Sequence, residues 1–432
     1  MPATATEHDG SMSADDAGSQ SGRRPRRAYA ADDRAATERI RTDCAIVGGG
    51  PAGMMLALLL ARRGVRVVVL EQHGDFLRDF RGDTIHPSTQ EVLHELGLLE
   101  RFLALPHADM QQVTLRFSGE HLVVADFSRL PTRRKAIAFM PQWDFLDFLA
   151  DAGRDLPGYD LRMRTTGVEL LRDGDRITGV RGAGPEGPIE LRAKLTVLAD
   201  GRDSRLRDAA GLVSAGGPSA IDVLWFRLPR EPDESIPFMQ VGDGALLSID
   251  RGDFYQCAHI VGKAVWRRDK SALDALRERI ARLHPPFAAR IAALEVDDIR
   301  VLDVRIEHLE RWYRDGVLAI GDAAHAMSPA GGVGINLAIQ DAVAAANALA
   351  PRLATARPTP ELLARIQRRR QPPARAVQAL QRRLERVLVR VAEPGAEVPV
   401  PLPLRLVQRV PVLRHVMGRV IGLGLRSEHV EE

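Results

Sequence analysis

The sequence predicts an α/β fold with an α+β insert: a parallel-sheet domain, an antiparallel β-sheet domain set into it, and a C-terminal helical region. Three observations carry this. Near the start, the unbroken apolar runs DCAIVGGG and VRVVVLE flank a helical stretch, MMLALLLARRG; apolar runs without polar alternation mark strands covered on both faces. From about 217 to 310 the texture shifts to short β-rich runs, DVLWFRLPR, FMQVGD, ALLSID and FYQCAHIVG, punctuated by Pro, Gly and Asp, as in an antiparallel sheet. After Pro358 the chain is arginine-rich and helical in spacing, with sixteen Arg against seven acids in residues 352–432.

In chain order, residues 1–41 are rich in Ala, Asp, Ser, Gly and Arg without apolar periodicity, which predicts a disordered tail. A nucleotide domain spans 42–216, and strands near 110–140 within it are assigned to the second domain. Its body begins at Asp43 with strand, helix stopped by Gly64, and strand, a βαβ unit. STQEVLHELG is a helix with Ser88 or Thr89 as N-cap and Gly97 as its stop. QWDFLDFLADAG is a further short helix, and TGVELLRDGDRITGVRG alternates about an Asp-Gly turn, a hairpin pattern. KLTVLADG returns to an unbroken strand. The β-rich substrate-facing domain covers 217–310, the nucleotide domain resumes over 311–350 with a helix starting near Gly334, and the helical region covers 351–432.

At 432 residues, 45% hydrophobic and 27% charged, the chain can bury a large core. A net charge of +3, with no basic pattern interleaved with aromatics, argues against nucleic acid. Cys44 and Cys257 are too far apart for a CxxxxC redox pair and form no metal-ligand cluster, so oxidative chemistry here would need a bound cofactor and no metal is expected. No apolar run reaches about 18 residues, so no transmembrane helix is expected. Arg23-Arg24 lacks the apolar segment of an export signal, and a cytoplasmic protein, monomer or homodimer, is predicted. The segment LPLRLVQRVPVLRHVMGRVIGLGLR is read as packing on the body or a partner subunit rather than on a membrane.

Chemistry concentrates at three glycine-bearing strand ends. Gly48-Gly49-Gly50-Pro51-Ala52-Gly53 fits GxGxxG where strand meets helix: Gly48 for the tight turn, Gly50 for close approach of a pyrophosphate, and Gly53 for helix–strand packing. The helix start, including Ala52, offers N–H groups and partial positive charge to phosphates. Glu71, with Gln72 beside it, closes the second strand about twenty residues on, where a carboxylate can hold ribose hydroxyls. Together these make a Rossmann-like dinucleotide site. LADGRDSRLR then delivers Asp200-Gly201, and VLAIGDAAHAMSPAGGVGINLAIQDA delivers Gly321-Asp322, a Pro-Gly-Gly turn and a second helix start.

The trio GGGPAG, DGxxSxxR and GDAAHxxxPxxGxGxN, in this order over residues 43 to about 350, resembles the fingerprint of the single-component, group A flavin monooxygenases, the para-hydroxybenzoate hydroxylase-like aromatic hydroxylases. The resemblance implies FAD, with NAD(P)H as transient co-substrate and O2 as oxidant. It implies hydroxylation of, or oxygen insertion into, a small aromatic or polyketide-like substrate through a C4a-peroxyflavin. It places Asp322 at the ribityl or phosphate region, and Asp200-Gly201 against FAD and the nicotinamide nucleotide. Pro329 falls near the flavin edge, and the Gly331–Asn336 amides, with Gly332, Val333, Gly334 and Ile335 between, face the pyrimidine end of the isoalloxazine. Arg81, in RGDTIHPST, would pair with the diphosphate, and Gln142 would touch the cofactor. His325 would have a structural task beside the flavin.

His86, Tyr255 and His259 are candidate acids or bases, although nothing in their spacing requires it. Two other readings stay open: an FAD-dependent reductase of the geranylgeranyl-reductase type, and a non-catalytic flavin-binding accessory protein. A halogenase is disfavoured because WxWxIP is missing.

Overall fold

The structure, a computed structural model, describes residues 37–77, 84–393, 395 and 398–431. Its nucleotide sheet runs, edge to edge, through Tyr313–Arg314, Val317–Ala319, Gly187–Leu198, Glu38–Val47, Val67–Leu70 and Tyr159–Arg162. From Val317–Ala319 to Tyr159–Arg162 every pairing is parallel. The first strand starts at Glu38, inside the stretch assigned to the tail. Thr166–Asp173 and Arg176–Gly184 form the hairpin expected about Asp-Gly, with Gly174 at φ +57° in its turn.

The helix Pro51–Arg62, buried from Ala52 to Ala61, packs on the helix Gly334–Leu353. Both are apolar enough to be covered nearly all round, which places them in the main core rather than at its edge. The helix Pro87–Glu95 is capped by His86 with Pro87 in first position, not by Ser88 or Thr89. Proline suits that position because its fixed φ is helical and its missing N–H is not needed there. Thr89 instead spends its hydroxyl on Asn336 (2.7 Å).

The second sheet is ordered Arg300–Leu309, Ser214–Pro229, Phe254–Gly262, Gly244–Asp250, Met239–Gly242, Gln112–Phe117 and Glu120–Asp126. It is antiparallel except at one junction, where Met239–Gly242 lies parallel to Gln112–Phe117. There the sheet joins segments far apart in sequence, so no hairpin dictates direction.

Side-chain alternation gives this sheet two faces. Leu224, Phe226, Leu228, Tyr255 and Cys257 face a core closed by the helices Lys270–Leu283 and Ala288–Ala292. Val223, Trp225 and Ala258 face the other way, towards Ile137 and Phe139 of a small three-stranded sheet and Met417 and Ile421 of the helix Val412–Leu423. That C-terminal helix approaches through small residues: a Cβ on Gly418 would lie 2.1 Å from Asp126 O, and one on Gly422 would lie 2.8 Å from Leu130. One face of it therefore packs on the body, while Val412 and Val416 stay exposed. Among the described residues no helix is long and apolar enough to cross a membrane.

Candidate active site

Adjacent parallel strands deliver the three motifs to one edge of the sheet, where open α/β sheets bind their ligands. Strand continuity is direct: Ala199 N–H donates to Val47 O (2.7 Å), Gly48 N–H to Leu70 O (2.9 Å) and Ile320 N–H to Leu198 O (3.0 Å). Contact between motifs is closer than a side chain would allow. A Cβ on Gly48 (φ +104°) would lie 2.4 Å from Ala199 O and 2.7 Å from Asp200 Cα, and one on Gly53 would lie 2.0 Å from Gly48 O. A Cβ on Gly321 (φ +60°) would press on Ala52 at 3.0 Å.

Two helix starts converge on this rim. The first intrahelical bond of Pro51–Arg62 runs from Met54 N–H to Gly50 O (2.9 Å), so the Ala52 and Gly53 amides precede it. In Gly334–Leu353 the first runs from Leu337 N–H to Val333 O (3.0 Å), leaving the Gly334, Ile335 and Asn336 amides ahead of it. Gly332 differs from the expectation: its N–H closes a turn on Pro329 O (3.0 Å), and its carbonyl accepts from the Thr84 hydroxyl (2.7 Å). Pro329 is exposed at that turn.

The carboxylates fall as follows. Glu71 is buried and turned into the glycine loop, accepting from Gly49 N–H (2.8 Å) and His73 N–H (2.9 Å). Gln72 beside it is exposed. Asp322 begins the short helix Asp322–His325 and is partly exposed. Asp200 is half-buried, and its Oδ1, shut off from solvent, has no hydrogen-bond partner among the described residues. Burial pushes the Asp200 carboxyl up to about 6. A buried polar atom left alone is costly, and a hydroxyl-bearing ligand would satisfy it. Gly50, Gly201 and, at the second helix start, Gly334 face open space, a Cβ on any of them meeting no protein atom closer than 3.9 Å outside its own helix and chain neighbours. These residues fit a dinucleotide with ribose or ribityl hydroxyls.

His86 joins the site. Its N–H donates to Asn336 Oδ1 (2.9 Å), and Asn336 Nδ2 donates to Thr84 O (3.2 Å), tying this segment to the second helix start. The His86 ring is fully buried and lies 2.8 Å from Ile421 O through Nδ1. A carbonyl only accepts, so Nδ1 carries the proton and Nε2 is a bare acceptor, without partner among the described residues. Burial drives its pKa down to about 4, keeping it neutral.

Tyr255 and His259 do not join it. Tyr255 sits in the helix-covered core, its hydroxyl donating to Glu234 O (2.9 Å). His259 shares that side of the strand by alternation, is fully buried and gives its Nδ1 proton to Ala245 O (3.0 Å). Both lie on the sheet face turned away from the motifs, which removes them as acids or bases there. Gln142 opens the helix Gln142–Gly153 and is half-buried. Arg81 lies outside the described residues.

Four residues that brace the motifs escaped the sequence reading. Asp341, fully buried, accepts from Gly321 N–H (3.1 Å), from Arg370 Nε (3.0 Å) and from His325 Nε2 (2.5 Å). Burial works to raise its pKa, but the His325 and Arg370 charges hold it below the usual carboxylate range; the same contact keeps His325 above its own ordinary value against burial. Arg370, Gln378 and Gln381 come from the helix Pro360–Ala392, where a Gln in an arginine-rich stretch reads as a solvated surface. Among the described residues no group of His, Cys, Asp and Glu could hold a metal ion.

Glycine-bearing strand ends, two helix starts and a carboxylate with one buried, unpartnered oxygen define a dinucleotide-binding flavoprotein. The chain belongs to the FAD binding domain family, whose model matches residues 41–381. It is 32% identical over 403 residues to the 6-methylpretetramide 4-monooxygenase of Streptomyces rimosus, covering 90% of this chain and 96% of that one. It is 28% identical to the para-nitrophenol 4-monooxygenase of Pseudomonas sp. strain WBC-3, covering 70% and 76%. Among solved structures, an anhydrotetracycline hydroxylase from Streptomyces rimosus superposes with a TM-score of 0.72 at 26% identity, covering 91% of this chain and 78% of that one. The protein is accordingly an FAD-dependent monooxygenase acting on a small molecule with O2, and NAD(P)H is the reductant of its class.

Proposed function

We propose that the substrate is a fused-ring phenolic compound of polyketide type, held between the second sheet and the start of the helix Gly334–Leu353. The carrying observation is a chain of contacts from the flavin motif to an aromatic wall. Gly332 O accepts from Thr84, whose strand pairs Thr84 with Phe139, and the Phe139 ring meets Phe238 edge-on at 5.4 Å. Trp225, Met110, Met417 and Ile421 extend the same apolar cluster. Flat aromatic substrates bury large area on such walls and gain from edge-to-face contact. The tetracycline-type names of two of the relatives support the same class.

FAD reduced by NAD(P)H supplies the oxygen chemistry, one atom passing to substrate and the other leaving as water. The chain's own work is binding, orientation and proton handling. Asp322 and the Ala52 and Gly53 amides would hold the ribityl and phosphate groups, Glu71 the adenosine ribose, and Asp200 a further hydroxyl. The Gly334–Asn336 amides and the helix dipole favour negative charge at the pyrimidine end. The aromatic wall excludes water. His86, neutral with a bare Nε2, is placed to accept the proton of a substrate hydroxyl. The protein works in the cytoplasm, where NAD(P)H is available, as a monomer or homodimer.

Titrating the FAD-loaded protein with fused-ring phenols, single-ring phenols and aliphatic alcohols tests the class. Flavin absorbance should shift and NAD(P)H consumption rise most with the fused-ring set; a response confined to single-ring phenols would overturn the assignment.

A further inference from the structure

The middle of the helix Pro360–Ala392 buries a polar face. Between residues 367 and 385 its buried positions are Gln367, Arg370, Pro373, Ala374, Gln378, Gln381 and Glu385, spaced by threes and fours along one face, and five of the seven are polar. On the flank of this face, about a quarter-turn round the helix, Leu380 and Leu384 are each 45% exposed. Ordinary packing would put the leucines inside.

What the polar face does is specific. Residues 326–333 lie between two helices and belong to no strand, so their backbone groups need partners from elsewhere. Gln378 Nε2 donates to Ala326 O (2.9 Å) and Glu307 O (2.8 Å). Gln381 Nε2 donates to Ser328 O and Ala330 O (2.9 Å each), while its Oε1 accepts from Ser328 N–H (3.2 Å). Alternate carbonyls of the loop, at 326, 328 and 330, are thus taken by two side chains of one helix. Behind them Arg370 anchors Asp341, which holds Gly321 N–H, and Arg370 Nη1 reaches Glu428 of the C-terminal tail (3.0 Å).

We propose that Gln378 and Gln381 are positioning residues for the flavin: by fixing the loop 326–333 they set where the Gly334–Asn336 amides meet the isoalloxazine, and so how strongly the site favours the reduced, anionic flavin. The inference rests on the flavin placement described under the proposed function. It needs no contact between either glutamine and the cofactor. The amides stabilise charge only where they are aimed, and a loop whose carbonyls lose their partners relaxes towards water or new ones.

The test uses the FAD-loaded full chain and needs no substrate. Gln381→Met keeps the volume and removes three hydrogen bonds, whereas Gln381→His retains one donor. The two-electron potential of the bound flavin, by dye-linked reduction, and its visible spectrum are the readouts. Gln381→Met should weaken the preference for reduced over oxidised flavin about tenfold, a fall of about 30 mV for a two-electron couple, with Gln381→His in between. Leu380→Gln on the exposed face should leave the potential unchanged. A folded, FAD-loaded Gln381→Met with wild-type potential, even with a lowered Tm, overturns the proposal, because a merely structural role predicts that result. If Gln381→Met fails to fold, Gln378→Met and Gln378→His are read in the same way. Failure of the wild-type chain to take up FAD would instead bring down the cofactor placement itself.

Discussion

The nucleotide half and the second sheet are the two surfaces to which the proposed function assigns a flat aromatic group, and they are built from different materials. In the nucleotide half the surface is backbone: Gly48, Gly53 and Gly321 stand where any Cβ would strike a neighbour, and amides at two helix starts point outward. At the second sheet it is side chain: Trp225 on one face of the sheet clusters with Phe238 beside it and Phe139 of the small three-stranded sheet, while the other face is sealed by helices. A backbone-made surface tolerates almost no substitution and takes one ligand. A surface of side chains can be re-cut for a new substrate without disturbing the cofactor.

The largest expected effect breaks the backbone surface. Gly53→Val brings a β-branched side chain onto Gly48 O and Ile46, and should cost more than about 4 kcal/mol. Little or no FAD-bearing folded protein should be recovered; a yellow product of wild-type Tm would contradict the packing argument. Asp341→Asn comes next, because it leaves the buried His325 charge without its counter-charge and Arg370 with Glu428 alone, at a cost of about 3 kcal/mol, read as a lowered Tm and faster FAD loss. On the sheet side, Phe238→Ala should raise KM for the aromatic substrate about tenfold, the equivalent of about 1.4 kcal/mol of lost ring contact, with FAD content unchanged. Loss of FAD in that variant would show that the two surfaces are not separable.

Smaller effects sharpen the contrast. Burial raises the Asp200 carboxyl to about 6, so the native ligand-free protein binds a proton there more tightly than the unfolded chain, and this contribution to stability falls as pH rises between about 4 and 6. Hydroxyl donors from FAD favour the ionised form, so FAD affinity should run the other way, weakening up to about tenfold per pH unit below 6. Asp200→Asn should flatten that dependence. Last, Tyr255→Phe removes one hydrogen bond in the sealed core, costing about 1 kcal/mol, and should leave kcat and KM unchanged; a changed kcat would return Tyr255 to the site.

The same contrast explains what could be read from sequence. Motifs built from a strand end, a glycine and a helix start are local, and their residues met in space through neighbouring parallel strands. Tyr255 and His259 could not be sorted from Trp225 until the register fixed which parity faces the helices. Gln378 and Gln381 were hidden by a pattern that points the wrong way, since Leu380 and Leu384 mark the exposed side of their helix. Gln at 367, 371, 378 and 381 on one helical face was the available signal.

The central claim, oxygen transfer at a flavin held by these motifs, is tested most directly by isotope. The purified FAD-loaded protein is reduced anaerobically with NAD(P)H, mixed with a fused-ring phenol and exposed to 18O2. The product should gain one 18O atom, with the other recovered in water. Oxidised product without 18O, for every substrate that accelerates NAD(P)H consumption, would contradict monooxygenation and mark the chain as a dehydrogenase.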